Sequence, residues 1–268
     1  MVSVQCLADM DAGAGYLPEF GLSLFVEADG NRILFDTGAG PALHPNASHA
    51  GLDFGSLTDL VLSHGHYDHT GGLAGFRVPP QVPVRTGKHI AAPCWSLHDD
   101  GSKHRIAMPQ ASQVVLAKCD VREIDSFQEI RRGIFLTGPI PRESGEDCGG
   151  RFFSDEACAT PNPVPEEIAL LLRSGVLITG CCHAGIVNTA EFCREACPGV
   201  RIHTILGGLH LKHADAARLG RTADYLNSLG LKRLVPMHCT GADAVRFLRE
   251  RLTCEVAMLP VGRKMRLD

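Results

Sequence analysis

A dense cluster of metal-binding side chains directly follows an apolar run in the first third of the chain. Residues 64–69 read HGHYDH, and the preceding residues 57–62 predict a short buried strand. Three imidazoles and one carboxylate suit zinc, iron, manganese or nickel far better than calcium or magnesium. A chance surface cluster is the alternative, because the chain has 13 histidines. The position behind an apolar strand favours a metal site on the loop that ends this strand.

The remaining pattern predicts strands in the first third of the chain and alternating helices and strands in the last. Glycine-bearing turns separate apolar runs at 2–8, 22–27 and 32–35, and Asp-Gly-Asn at 29–31 is typical of a β-hairpin. Further on we predict strands at 168–172, 176–179, 202–206 and 231–237, a second hairpin turn at 173–175, and helices at 187–197, 214–229 and 242–251. This order indicates a mixed α/β (α+β) fold.

The length and composition of the chain indicate one large domain. Its 268 residues, 44% of them hydrophobic and 21% charged, suffice for a sizeable core. We therefore expect a single domain over residues 1–268. Residues 79–165 are rich in Pro and Gly and follow no regular pattern, so we expect an irregular, substrate-facing insertion or a dimer surface there.

The charge pattern disfavours nucleic acid and membrane as partners. The net charge is −4, and no block of like charges occurs. The first ten residues lack the basic and apolar segments of a signal peptide, and no apolar run is long enough to span a bilayer. We expect a cytoplasmic protein with a small-molecule substrate, no nucleic acid or membrane partner, and a homodimer as one assembly to consider.

The eleven cysteines do not follow a zinc-ribbon or disulfide spacing. There is no CxxC, and the number is odd. We expect mostly reduced thiols that are small buried residues. Cys181, Cys182 and Cys239 differ from the others because they lie inside motifs that carry histidines.

The segment 64–69 resembles the signature of the metallo-β-lactamase superfamily, and other motifs support this resemblance. They are FDTG at 35–38, ITGCCHAG at 178–185, GGLHL at 207–211 and HCTG at 238–241. With EFGLS at 19–23 and GPIPR at 138–142, they resemble one branch, the metal-dependent hydrolases of β-lactamase superfamily II that are grouped with 7,8-dihydropterin-6-methyl-4-(β-D-ribofuranosyl)-aminobenzene-5′-phosphate synthases. The resemblance runs from about residue 4 to 262 and implies a four-layer αββα sandwich.

The resemblance also implies two divalent metal ions, zinc first, with iron, manganese and nickel as alternatives. It assigns His64 and His66 to the first metal and Asp68, His69 and His238 to the second. We expect His183 to be the third ligand of the first metal, because it follows the strand at 176–179; the alternative is a first metal with fewer protein ligands.

The chain departs from the common pattern of the superfamily at two places. Many relatives have a GHTxG histidine, but here no histidine lies between His104 and His183. They also have a bridging aspartate at the end of a TGD strand, where this chain has Cys181. The Cys181 thiolate either ligates metal or, as the favoured interpretation, is a small buried residue beneath the metals. His210 is interpreted as a ligand that fills the place of the absent aspartate, as a substrate-binding or acid/base group, or as a structural histidine.

Three further residues are candidates for supporting roles. Asp36 is expected to accept the second N–H of a ligand histidine, although it could simply cap a turn. Glu167 resembles acidic residues that precede the equivalent strand in the branch. Arg142 is either an anion clamp for substrate or a solvated surface residue.

The function implied is that of a metal-dependent hydrolase, or a related lyase or transferase. A dinuclear metal-activated hydroxide would act on a small, anionic or phosphorylated, pterin-like substrate. Asp68 would orient the water and His210 would protonate the leaving group. The alternatives are a diiron redox protein of flavodiiron type, which typically has Glu at the place of His66 and an additional flavodoxin-like domain, and a non-catalytic metal-binding sensor.

Overall fold

The computed structural model of the chain describes residues 1–146 and 150–267, and its strands and helices are numbered in chain order. The strands in these ranges are β1 (Val2–Ala8), β2 (Ser23–Ala28), β3 (Asn31–Phe35), β4 (Asp59–Leu62), β5 (Val84–Thr86), β6 (Trp95–Leu97), β7 (Lys103–Arg105), β8 (Val121–Glu123), β9 (Gln128–Arg131), β10 (Ile134–Leu136), β11 (Phe152–Phe153), β12 (Leu170–Leu172), β13 (Val176–Thr179), β14 (Thr204–Gly208), β15 (Arg233–Met237), β16 (Glu255–Val256) and β17 (Lys264–Arg266). The α-helices there are α1 (Leu43–His49), α2 (Tyr67–Thr70), α3 (Gln110–Leu116), α4 (Ile186–Ala196), α5 (Ala216–Ser228) and α6 (Ala242–Arg251). No helix in this part of the chain is long and apolar enough to cross a membrane.

The first sheet has the strand order β17-β1-β2-β3-β4-β5-β8. Strands β17 to β3 are antiparallel neighbours, and β3, β4, β5 and β8 run parallel. The predicted hairpin between β2 and β3 is confirmed, and its turn residues Asp29 and Gly30 have φ angles of 49° and 83°. A two-residue turn of this kind requires positive φ at both positions, which Asp tolerates and Gly favours.

The second sheet has the strand order β16-β15-β14-β13-β12-β10-β9. Its strands β13 to β16 are parallel, so the loops after β13, β14 and β15 leave from the same edge. Those loops carry Cys181, His183, His210 and His238. Strand β4 of the first sheet ends just before His64. The loop after β4 therefore lies close to the loops after β13, β14 and β15 of the second sheet.

Alternating side chains show how the sheets are layered. Val26 and Phe35 from the first sheet share a fully buried cluster with Ile178 from the second. Phe25, next to Val26 on β2, faces α1 and α3 on the outer side of the first sheet. Leu177, next to Ile178 on β13, faces α4, α5 and α6 on the outer side of the second sheet. The central strands of both sheets thus bury both faces, one against the other sheet and one against helices. The four-layer αββα sandwich expected from the sequence is confirmed.

Local signals set the ends of the helices over the second sheet. Helix α5 begins after Asp215, whose carboxylate accepts a hydrogen bond from the backbone N–H of Arg218 at 2.7 Å. Helix α6 begins after Gly241, whose φ of 80° strains any residue with a Cβ.

The segment 79–165 is more regular than its sequence pattern indicates. Strands β5 and β8 extend the first sheet, β9 and β10 extend the second, and β6, β7 and β11 form a third sheet of three strands among the described residues. The strands have two to four residues, and β7 and β8 are exposed along their whole length. Such short exposed strands have no apolar alternation to detect. Residues 147–149 of this segment lie outside the described residues.

Candidate metal centre

The loop after β4 turns its metal-binding side chains inward. His64, His66, Asp68 and His69 are all at least 93% buried. Gly65 permits this turn, because a Cβ at that position would lie 2.1 Å from the carbonyl oxygen of Ile90. The short helix α2 then places Asp68 and His69 in its buried part.

A first group of donors consists of His64, His66 and His183, with one ring nitrogen from each within 4.8 Å of the others. The Ser63 hydroxyl lies 2.9 Å from His64 Nδ1 and 2.6 Å from a carboxylate oxygen of Asp36. Its single hydrogen goes to the carboxylate, so His64 Nδ1–H donates to Ser63 Oγ. The lone pair of His64 Nε2 is therefore free, and this buried atom has no hydrogen-bond partner among the residues that the structure describes.

A second group of donors consists of Asp68, His69 and His238. His238 Nε2 lies 3.2 Å from Asp68 Oδ2 and 3.3 Å from His69 Nε2. The other nitrogen of His69, Nδ1, donates to Asp36 Oδ2 at 2.7 Å, which leaves a lone pair on Nε2. Three donors thus converge on one small volume.

Cys181 lies between these two groups. Its Sγ is 3.2 Å from His69 Nε2, and it lies within 4.8 Å of donor atoms of His64, His183 and His238. Glycine at position 180 permits this, because a Cβ there would be 2.1 Å from Ser63 Oγ. The sequence favoured a place beneath the metals; the structure places the sulfur within 4.8 Å of the histidine donor atoms.

His210 lies beside the first group only. It shares a set of close donor atoms with Cys181 and His183, and its ring centroid is 4.5 Å from that of His183. The chain reaches this position because Gly207 passes close to β13, where a Cβ would lie 2.0 Å from the carbonyl oxygen of Thr179. The place between the two groups, which the sequence assigned to His210 as one option, is taken by Cys181.

Asp36 supports both donor groups through hydrogen bonds. Its fully buried carboxylate accepts hydrogen bonds from the backbone N–H and the hydroxyl of Ser63, at 2.7 and 2.6 Å, and from His69 Nδ1. It therefore sets the tautomer of His69 directly and that of His64 through Ser63. Ser63 was not identified from the sequence, because a serine at the end of a strand is common and has no distinctive pattern.

Glu167 and Arg142 support the loop that carries His183. The Glu167 carboxylate accepts hydrogen bonds from the backbone N–H groups of His183 and Ala184 at 2.7 and 2.8 Å. Burial raises its pKa to about 7. The Arg142 guanidinium donates to the carbonyl oxygens of His183 and Pro163. Two of its N–H groups thus bind backbone carbonyl groups, whereas the sequence led us to expect that they bind a substrate anion. This arrangement does not favour the predicted contact between Arg142 and substrate.

The electrostatics differ between the two donor groups. Burial lowers the pKa of His64 far below its ordinary value and that of His66 to about 3, so both rings stay neutral, the form that binds metal. Burial lowers the pKa of His210 to about 4. Burial opposes the charging of His238, but the hydrogen bond with Asp68 outweighs it and raises the pKa of His238 to about 9.

Aromatic rings flank the donor groups on two sides. The Phe20 ring, 46% exposed, lies 5.1 Å from the ring of His238. The half-buried Phe152 ring lies 5.3 Å from His66 and 5.2 Å from His183. These two phenylalanines were also missed, because only the tertiary fold brings their positions to the centre.

The donor set fits divalent cations. Neutral imidazoles, one carboxylate and one thiol are the ligand types of zinc and iron sites. The buried lone pair of His64 Nε2 has no hydrogen-bond partner among the described residues, and such a buried polar atom is expensive without a bound cation.

Comparison with known proteins finds two relatives that match nearly the whole chain. The chain is 30% identical over 253 residues to the uncharacterized protein MJ0448 of Methanocaldococcus jannaschii, covering 92% of this chain and 94% of the relative. It is 26% identical over 288 residues to a 7,8-dihydropterin-6-methyl-4-(β-D-ribofuranosyl)-aminobenzene-5′-phosphate synthase of the same organism, covering 98% and 95%.

Solved structures share the whole architecture. Tm1679, described as a metal-dependent hydrolase of the β-lactamase superfamily, matches with a TM-score of 0.87 and 28% identity over 100% of both chains. A diphosphatase of the PhnP family matches with a TM-score of 0.58 and 14% identity, over 100% of this chain and 98% of the diphosphatase, a likeness of fold alone. The family model described as metallo-β-lactamase superfamily matches residues 16–238. The chain belongs to the metallo-β-lactamase superfamily.

Proposed function

We propose that this protein is a metal-dependent enzyme with two divalent cations that cleaves or transfers a group on a small anionic substrate. The observation that carries this proposal is the pair of buried donor groups on either side of Cys181. His64, His66 and His183 would hold the first cation, and Asp68, His69 and His238 the second. Hydrolysis is the leading reaction type, with a related lyase or transferase reaction as the variant.

Two bound cations at such a centre lower the pKa of water and polarise a carbonyl or phosphoryl oxygen of the substrate. The chain's own residues would orient and protonate. Asp68 has a second carboxylate oxygen that can accept a hydrogen bond from an attacking water. His210 stands at the edge of the first group, where it can exchange a proton with the leaving group.

The surroundings of the centre favour a planar, negatively charged substrate. The Phe20 and Phe152 rings lie near different donor groups, and aromatic rings can stack on flat rings. The cations would attract phosphate or carboxylate. The name of the M. jannaschii synthase includes a dihydropterin and a phosphate. We therefore propose a phosphorylated compound with a heteroaromatic ring, pterin-like in shape, as the substrate class.

Metal analysis combined with a substrate panel tests this proposal. Protein purified without added metal should contain close to two equivalents of zinc, iron, manganese or nickel. After chelation and reloading, it should act on at least one member of a panel of phosphomonoesters, phosphodiesters, pyrophosphates, lactones and thioesters. Asp68→Asn should lose at least about 100-fold in kcat, as for loss of a positioned acid/base group. Asp224→Asn, at an exposed position on α5, serves as the control.

Two results contradict the proposal. The first is a protein that binds no divalent metal after reloading. The second is an Asp68→Asn variant with the wild-type rate on the substrate that the panel identifies.

A further inference from the structure

Cys181 belongs to neither group of donors, yet its sulfur adjoins members of both. Its sulfur lies within 4.8 Å of donor atoms of His64 and His183 from the first group and of His69 and His238 from the second. The other candidate for a connecting role, His210, shares such a set with His183 and Cys181 alone. The sulfur therefore has the position that a ligand shared by two cations needs.

The sulfur does not act as packing material. Its neighbour in sequence, Cys182, belongs to the apolar cluster under α4, together with Ile186 and Ala190. Within the described residues Cys181 belongs to none of the three apolar clusters, although it is 2% exposed, as Cys182 is. A buried cysteine that faces histidine nitrogens is surrounded by groups that bind cations.

The backbone holds Cys181 in this place. The carbonyl oxygen of Gly180 accepts a hydrogen bond from the backbone N–H of Gly208 at 3.0 Å, which continues the pairing of β13 and β14. The Cys239 thiol donates to the Cys181 carbonyl oxygen at 3.5 Å. Close contacts around Gly180 and Gly208 leave no room for a Cβ at either position, so the strand ends cannot separate easily.

The charge of the donor set also calls for a second anion. Apart from cysteine sulfur, the donors are six imidazoles and a single carboxylate, that of Asp68. Two divalent cations bring four positive charges into a buried space, and an uncompensated buried charge is expensive. A thiolate between the cations supplies negative charge where the repulsion between the two ions is greatest.

We propose that the Cys181 sulfur is a thiolate ligand shared by the two cations, at the position where other members of the superfamily have a carboxylate. This inference rests on the proposed dinuclear function. On binding, the S–H bond breaks, the proton passes to solvent, and sulfur forms its bonds to the metals. Thiolate is a soft ligand, so the centre should prefer zinc or ferrous iron to manganese and exclude magnesium.

Cobalt(II) is a direct probe of this sulfur. Chelator-treated protein would be titrated with cobalt while the near-ultraviolet band that sulfur-to-cobalt charge transfer produces is recorded. We expect the wild type to bind two equivalents and to develop this band. Cys181→Ser should lose the band. Cys182→Ser changes a neighbouring cysteine of equal exposure and should keep it, as should Cys239→Ser.

A carboxylate at the same position separates ligation from mere packing. Cys181→Asp should bind two equivalents of cobalt without the sulfur band, because a carboxylate can bridge two cations in the same place. A cysteine that only filled space would not be replaced by a charged side chain with the metal stoichiometry intact. X-ray absorption of the zinc-loaded wild type, which needs no variant, should show a sulfur neighbour at about 2.3 Å.

The outcomes separate this inference from the proposed function. Two equivalents of cobalt without any sulfur band, or a band that persists in Cys181→Ser, would overturn the thiolate ligand and leave the dinuclear centre standing. Loss of the band in Cys239→Ser alone would assign the sulfur to Cys239 and overturn the inference as well. Absence of cobalt binding to the wild type would overturn both.

Discussion

Replacement of Asp36 by Asn tests whether the support behind the donors sets the metal affinity. The Asp36 carboxylate accepts from Ser63 twice and from His69 Nδ1 once. In Asp36→Asn, the amide oxygen can still accept from the Ser63 backbone, but an NH2 group replaces the second oxygen. This group donates, so His69 Nδ1 must become an acceptor and its proton moves to Nε2, which faces the second donor group.

The magnitude follows from the hydrogen bonds that change. Two bonds to a buried charged acceptor, each about 1.5–3 kcal/mol, are exchanged for one neutral amide bond of about 1 kcal/mol. The free energy of unfolding of the metal-free protein should therefore fall by about 2–5 kcal/mol. Loss of an outer partner typically weakens metal binding by about 10–100-fold, or about 1.4–2.8 kcal/mol. Both metals should be affected, because Ser63 passes the change to His64.

Asp59→Asn is the matched control for this experiment. Asp59 is also a fully buried aspartate, at the start of β4, and its carboxylate pairs with Arg85 at 2.5 Å and with Arg131 at 2.9 Å. Breaking such a buried pair costs about 3–5 kcal/mol. The control should thus lose similar stability in urea, while its zinc affinity, measured by competition with a chromophoric chelator, stays at the wild-type value.

A specific result would refute the reasoning about Asp36. If Asp36→Asn and Asp59→Asn lose similar stability and both keep the wild-type zinc affinity within about twofold, Asp36 only closes the turn after β3. The φ of 59° at Asp36 would then be explained by turn geometry, which Asp tolerates without any metal.

Three further outcomes are expected. Chelation should lower the melting temperature and zinc should restore it, because a cation that binds only the folded state stabilises it; an unchanged melting temperature would contradict a buried metal centre. Gly65→Ala should weaken zinc binding measured by competition, since its Cβ would meet the Ile90 carbonyl. Gly220→Ala, in open space on α5, should raise the free energy of unfolding by about 0.5–1 kcal/mol. Weaker zinc binding in Gly220→Ala but not in Gly65→Ala would count against the structure of the loop. Phe152→Ala should raise KM more than it lowers kcat on a ring-containing substrate, and an unchanged KM would exclude stacking on this ring.

Regular elements with strong apolar patterns were predictable from the sequence. The predicted bounds of β1, β13 and α6 agree with the structure, and the predicted strands and helices around β14, β15, α4 and α5 are displaced by one or two residues. These elements pair a buried face with clear end signals, such as glycine at 241 or the turn at 173–175. Their pattern is local, so it can be seen in one sequence.

Elements that depend on distant neighbours were not predictable. Strands β8 and β9 are exposed or half-buried edge strands, and their place is set by the sheets that they extend. Ser63 contacts Asp36, which is far away in sequence. Phe152 contacts His183, which follows a strand of another sheet. The histidine motifs identified most donors because a short segment carries several of them.

The exchange of His210 for Cys181 between the two groups follows from strand register. Thr179 pairs with Gly207, and Gly208 pairs with Met237. Continued past these pairs, the same register puts Cys181, two residues after Thr179, level with Leu209 and His238. Leu209 turns into the apolar cluster beneath the helices, which leaves Cys181 and His238 side by side at the centre. His210 is one residue further along and reaches only the near side. The register between strands that are far apart in sequence is set by their pairing in the fold, so the local motif around His210 could not distinguish the two positions.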